Sequence, residues 1–303
     1  MTVPAKVKRE VISLREQIKL HNRLYHSLDA PEIPDADYDA LLIRLEELEQ
    51  EYDLVTSDSP TQRVGGAPLS QFTQVTHEIP MLSLAKVFSE KDLRDFETRI
   101  KKRLGSEEKL VYSCEPKVDG IAVSLLYIDG LLTRAATRGD GVIGEDITHN
   151  VKTIRSIPLE ISVEPFKKIE VRGEVYMPKK EFQRLNAMRE EAGESPFANP
   201  RNAAAGALRV LDPAITDSRK LGIFIYTVGF QDRDVCKTHS ELQEQLKALR
   251  FPVNEHNRLC ANFEETIAVI EEWRTKKNDL NYEVDGLVIQ INSLAYISFY
   301  YEN

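Results

Sequence analysis

The chain has 303 residues, of which 42% are hydrophobic and 29% charged, the balance of a globular chain with a sizeable core. No apolar run reaches the length of a membrane span, and the N-terminal MTVPAKVKRE lacks the apolar stretch of a secretory signal. A formal net charge of −9 argues against a protein that grips a nucleic-acid backbone by overall charge. Cys114, Cys236 and Cys260 are few, odd in number and far apart, which argues against a disulfide framework and against a zinc site made only of cysteine. A cytoplasmic monomer with no membrane partner is the expectation.

Residues 5–28 read as an amphipathic helix, with Val11, Leu14, Ile18, His21 and Tyr25 spaced by three and four. Two prolines in 29–35 break it. A second helix follows, with Asp35 as its expected cap and Tyr38, Leu41, Leu45, Leu48 and Tyr52 as its stripe. Residues 57–70 read as a loop, and a boundary near 70 divides a small helical unit, 1–70, from a larger one, 71–303. In the larger unit, 89–104, 179–193, 240–250 and 262–277 read as helices. Residues 110–114, 121–127, 131–138, 169–177, 221–230 and 284–292 read as strands, the second and third joined by the hairpin dipeptide Asp129-Gly130. Residues 169–177 alternate, with Ile169, Val171, Val175 and Met177 opposite Glu170, Arg172 and Glu174. Residues 221–230 are apolar on both faces, as a central strand would be. The fold class is α+β with mostly antiparallel sheets.

The stretch with most chemistry is Glu115-Pro-Lys117-Val-Asp119-Gly120. In extended backbone Glu115, Lys117 and Asp119 share a side, and Pro116, lacking an amide hydrogen, marks an edge or an irregular strand end. An amine flanked by carboxylates is suited to nucleophilic attack once it sheds a proton. Lowering its pKa from about 10.4 to about 7 takes roughly 4–5 kcal/mol of environmental bias. Taken alone, Lys-x-Asp-Gly reads more readily as a surface ion pair before a turn. Four further motifs in order change the weighting: Thr137-Arg138-Gly139-Asp140-Gly141, Arg172-Gly173-Glu174-Val175, Tyr226 and Asp285-Gly286-Leu287-Val288-Ile289.

These motifs together resemble the nucleotidyltransferase superfamily of DNA ligases, RNA ligases and capping enzymes. Tyr25-His26 with Asp35-Ala36-Asp37-Tyr38-Asp39 is similar to the helical module of the bacterial NAD-dependent DNA ligases. Asp58-Ser-Pro-Thr-Gln-Arg63, Met81-Leu-Ser83-Leu84, Gly144-Glu-Asp146-Ile-Thr148 and Asn199-Pro-Arg201-Asn202 through Arg209 extend the resemblance over nearly the whole chain. It implies an N-terminal module that holds the nicotinamide mononucleotide (NMN) half of NAD through Tyr25, His26, Asp35, Ala36, Asp37, Tyr38 and Asp39. It implies a nucleotidyltransferase (ATP-grasp-like) domain whose Lys117 takes AMP from NAD. Ser83, Leu84, Glu115, Arg138 and Glu174 would line the adenosine and phosphate side and Tyr226 would stack on adenine. Mg²⁺ or Mn²⁺ would assist, with Glu174 a candidate metal or ribose ligand. Arg201 and Arg209 would meet the phosphates of nicked double-stranded DNA in the full-length enzyme, this chain alone binding DNA weakly.

The chain departs from the family pattern in three places. Ala85-Lys86 stands where the family has Asp-Asn. Gln290 stands where it has a lysine expected to touch phosphate. After Ala295 the sequence Tyr296-Ile-Ser-Phe-Tyr-Tyr-Glu-Asn303 replaces a further strand. The expectation is a truncated or frame-shifted chain with its last strand missing. The competing reading is a catalytically impaired fragment that only binds NAD or NMN.

Overall fold

The structure, a computed structural model, describes residues 3–26, 32–56, 58–62, 71–87, 89–104 and 109–296. It opens with α1 (Ala5–His26) and α2 (Asp35–Tyr52), two helices joined along Val11, Leu14, Ile18, Leu45 and Leu48, a cluster of their own. Of the expected stripes, Val11, Leu14, Ile18, Leu45 and Leu48 are packed, with Tyr38, Leu41 and Tyr52 against them, and the Tyr25 side chain lies outside the described residues. Asp35 does not cap α2: it is the first helical residue, Pro34 takes the cap position, and no side chain bonds there. A proline just ahead of a helix is preset in extended φ/ψ and ends the preceding chain without needing a side-chain acceptor. A short 3-10 turn, Pro60–Gln62, follows. Its Ser59 and Thr61 hydroxyls donate to the fully buried Glu49 carboxylate, whose remaining partner is Arg15. The Ser-Pro-Thr motif thereby satisfies a charge that burial would otherwise penalise heavily.

The larger part runs β1 (Gln74–Thr76), α3 (Glu90–Leu104), β2 (Tyr112–Val118), β3 (Ile121–Ile128), β4 (Leu131–Thr137), β5 (Ile143–Glu145), α4 (Thr148–Lys152), β6 (Lys168–Tyr176), α5 (Lys179–Glu191), α6 (Pro200–Leu208), α7 (Pro213–Ser218), β7 (Gly222–Gln231), α8 (His239–Ala248), β8 (Arg258–Cys260), α9 (Phe263–Lys276) and β9 (Val284–Ile291). All strand pairs are antiparallel, in sheets ordered β4-β3-β6-β7, β8-β2-β9 and β1-β5. The α+β class holds.

One core lies on the four-stranded sheet, where Val123, Leu125, Ile169, Val171, Ile223 and Ile225 meet Leu185, Ala204, Leu208 and Leu246 of the helices. A second joins β2, β8 and β9 to α3 and α9 through Leu93, Ile100, Tyr112, Phe263 and Trp273. Cys114 and Cys260 belong to it, both 1% exposed with their sulfurs 3.6 Å apart.

Two strand expectations need correction. β7 is an edge strand, not a central one. It is apolar on both faces because Ile223 and Ile225 enter the first core while Phe224 stacks on Tyr176 against the second. On the polar side of β6, Glu170 and Arg172 are buried and paired. Pro116 lies inside β2, the middle strand of its sheet. β8 pairs only with Tyr112–Cys114, so at Pro116 the strand has β9 as its single neighbour and the lost donor costs no ladder bond.

Candidate active site

Lys117 stands in β2 opposite Gly286 of β9. The next pairing joins Val118 to Val284, so Asp285 is skipped by the ladder. That bulge turns its carboxylate toward the lysine, and Nζ donates to Asp285 Oδ2 at 2.7 Å. This bond, with further pull from Lys86 and Arg201, holds the Asp285 carboxyl below its ordinary range.

Asp119-Gly120 then turns the chain from β2 into β3. A Cβ on Gly120 would lie 2.1 Å from the Val175 carbonyl oxygen, so only glycine allows the approach. Asp119 accepts from Arg201 at 3.2 Å. Glu174, across from Ala122 in β6, is pushed up to about 7 by burial against the opposing pull of Arg201 and Lys117. Two cations and three carboxylates thus gather from β2, β6, β9 and α6.

Next to them lies a buried network. Glu115 is 5% exposed. One oxygen, Oε1, accepts from the Ser113 hydroxyl at 2.9 Å and the Gln290 amide at 2.7 Å, and lies 2.6 Å from His239 Nε2. Gln290 therefore engages Glu115 and His239 (2.8 Å). His239 was missed by sequence reasoning. It is 1% exposed and distant from every motif, at the first position of α8. The legible signal was the capping box Thr238 to Glu241, which sets that helix start.

Tyr226 is half-buried in β7, its phenol pushed up by burial and by Glu174, with Arg172 and Arg138 opposing. Arg138 is exposed beyond β4, where Gly139 (φ 57°) and Asp140, bonded to the amides of Val142 and Ile143, form the turn. Ser83 and Leu84 are exposed in the segment after Met81. Buried Arg172 donates to the carbonyls of Ile79 and Pro80 and so pins the start of that segment. Arg201 and Arg209 are paired, Arg209 with both oxygens of Glu145.

The N-terminal candidates form a separate group. The side chains of Tyr25, His26 and Asp35 lie outside the described residues, as do Arg63 and residues 297–303. Ala36 and Asp37 are exposed. Tyr38 and Asp39 line a cavity of about 290 Å³ whose other wall is Arg155, Asp217 and Lys220, and whose lining includes neither Lys117 nor Glu174. Among the described residues no cluster of three His, Cys, Asp or Glu side chains is arranged to cage a metal, and no helix is long and apolar enough to cross a membrane.

The family described as NAD-dependent DNA ligase adenylation domain matches residues 69–299, and the one described as DNA ligase-like, N-terminal NAD+-binding domain matches residues 4–65. The chain is 50% identical over 289 residues to a DNA ligase of Oceanobacillus iheyensis, covering 95% of this chain and 43% of that protein. It is 51% identical over 289 residues to one of Desulforamulus reducens, with the same coverage. To one of Pseudomonas putida it is 50% identical over 287 residues, 94% of this chain and 37% of that protein. The chain thus spans less than half the length of these relatives. By its two matched regions and its ordered motifs, it belongs to the NAD-dependent DNA ligase family.

Proposed function

We propose that the chain carries out the first step of DNA nick sealing: Lys117 attacks the α-phosphorus of NAD, forming lysyl-AMP and releasing NMN. The observation that carries this is the convergence of Lys117, Asp119, Glu174, Arg201 and Asp285 at one spot from four separate elements. The lysine nitrogen attacks in line and the bond from phosphorus to the bridging oxygen breaks, with its electron pair leaving on NMN. Asp285 fixes the direction of the amine, which must shed its proton before attack. Arg201 lies where it can meet negative charge on the phosphate. Glu115, held through Oε1 by three neighbours, presents Oε2 as an acceptor for a donor on the purine. Tyr226 offers an aromatic face beside Glu174 and Arg138.

A magnesium ion fits this site as a phosphate-bound ion. Such ions keep most of their waters and take only one or two carboxylates besides phosphate oxygens. Glu174, which has no ion-pair partner within 4 Å among the described residues, is the residue that would hold it. When bound, the ion neutralises charge developing on the phosphoryl oxygens. In the longer proteins of the family, AMP would pass from the lysine to a 5′-phosphate at a nick. Arg201 and Arg209, now neutralised by Asp119 and Glu145, would exchange those partners for DNA phosphates.

The test is the intact mass of the purified chain after incubation with NAD and Mg²⁺, beside a Lys117→Ala control. A gain of one AMP confined to the parent chain is the expected result. The second reading, a chain that holds NAD without turning it over, draws on the neutral Gln290. It predicts no mass gain together with a raised melting temperature in NAD.

A further inference from the structure

The buried carboxylate of Glu115 meets a residue that belongs to a different core. His239 opens α8, a helix whose Leu242 and Leu246 pack into the core on the four-stranded sheet. Its ring nevertheless reaches Glu115 of β2, in the other sheet, and is 1% exposed. The start of α8 is tied down on two sides. The capping box from Thr238 to Glu241 fixes its first turn. Just past the end of β9, the Asn292 carbonyl accepts from the His239 amide at 2.7 Å, and Asn292 Oδ1 accepts from the Ser240 amide at 2.9 Å. The imidazole is thus carried on backbone held by both the helix and the strand.

Donors and acceptors assign the ring its part. Three polar atoms surround Nε2: Glu115 Oε1 at 2.6 Å, the Gln290 amide at 2.8 Å and the Gln243 amide at 2.9 Å. A carboxylate oxygen accepts, so the ring hydrogen stands on Nε2 and is directed to Oε1, the nearest of the three. Ser113 reaches the same oxygen with a hydroxyl that can rotate, and Gln290 reaches it with a long unbranched side chain. Of these three donors to Oε1 the planar imidazole has the least freedom. It holds one carboxylate oxygen inward and leaves Oε2 for a ligand.

We infer that His239 is a positioning residue for base selection: its ring hydrogen clamps the Glu115 carboxylate so that Oε2 accepts from an amino group at C6 of the purine. The inference rests on the reading of Glu115 as the purine acceptor and adds the residue that makes this acceptor selective. A purine with an amino group at C6 gives Oε2 a hydrogen. A purine with an oxo group there sets oxygen against oxygen. A carboxylate clamped at Oε1 cannot turn away from that clash, and a buried polar group facing the wrong partner discriminates strongly. Without the clamp the carboxylate can turn, and the penalty on the oxo base shrinks.

The experiment uses calorimetry on the full 303-residue chain, without divalent metal. It compares NAD with nicotinamide hypoxanthine dinucleotide, in which oxygen replaces the 6-amino group. The parent is expected to hold NAD at least about ten-fold more tightly. His239→Leu should bring that ratio close to one, chiefly by weakening NAD. His239→Gln, whose amide hydrogen can stand in for the ring hydrogen, should keep most of it. His239→Asn, polar but shorter, repeats the test of loss where the leucine variant fails to fold. If the loss variants weaken both ligands by one factor, or leave the ratio intact, or if His239→Gln falls with them, the inference is overturned. Glu115→Gln separates the two levels. A ratio that collapses in Glu115→Gln while the His239 variants keep it leaves the purine reading standing and removes the inference alone. A parent that does not discriminate, or a Glu115→Gln chain that still does, removes the reading itself. Circular dichroism melts of each variant check that the fold persists.

Discussion

Gly120 shows how much a single atom decides at this site. Gly120→Ala places a methyl 2.1 Å from a backbone oxygen of β6, and backbone cannot rotate aside as a side chain would. The expected cost is about 3 kcal/mol in denaturant unfolding, with adenylation lost as the Asp119 turn shifts. An unchanged midpoint would contradict this account of the motif. The residues around Lys117 were legible in the sequence because each sits in a short motif whose spacing survives folding. Their partners were less so. The Asp285 contact depends on a bulge that only strand pairing creates. His239 reaches Glu115 across 124 positions of chain. Gln290 read as a lost phosphate contact, whereas its amide closes a buried network with two neighbours that local pattern does not connect.

Among the elements, β6 links the nucleotide site to the segment that carries Ser83 and Leu84. Arg172 donates to the Ile79 and Pro80 carbonyls and is balanced by Glu170, 3% exposed. Arg172→Met strands a buried carboxylate, and breaking such pairs costs about 3 kcal/mol or more. The double variant Arg172→Met with Glu170→Gln should recover part of that loss in the same unfolding measurement. It should not recover the pinned segment, which limited proteolysis after residue 79 would report. The long helices and most long strands followed from periodicity to within a few residues, whereas the short elements β1, β5, α4, α6, α7 and β8 did not, being too brief to show a period, and β2 runs on through Pro116 to Val118. Neighbour order did not follow from it: β7 is apolar on both faces because it lies between two cores, and a sequence cannot distinguish that from a central position.

For the whole molecule, stability is tied to pH through Glu174. Its folded carboxyl is pushed up to about 7 from 4.5 by burial. Between those values the folded chain keeps a proton that the unfolded chain has released. Stability is therefore greatest, as far as this group is concerned, below the unfolded value, and is lost as pH rises through the window to about 7. Glu174→Gln should remove that slope, so the melting temperature of the variant relative to the parent should rise between about pH 5 and about pH 8. An equal difference at both ends would refute the assignment. Among the described residues the helical part is tied to the rest by side-chain contacts. One is the Lys19–Glu160 pair, 26% and 44% exposed, which as a surface ion pair contributes about 1 kcal/mol or less.

The two thiols enclosed between β2 and β8 give the molecule a chemical clock. Burial, reinforced by Cys260, pushes the Cys114 thiol up to about 12, so hardly any thiolate exists at neutral pH. Neither sulfur is reachable by an alkylating reagent while the sheet is closed. Cys236, partly accessible, reacts from the closed form. Modification of the chain then divides into one early event and two late ones, and the late pair records how often the sheet that carries Lys117 opens.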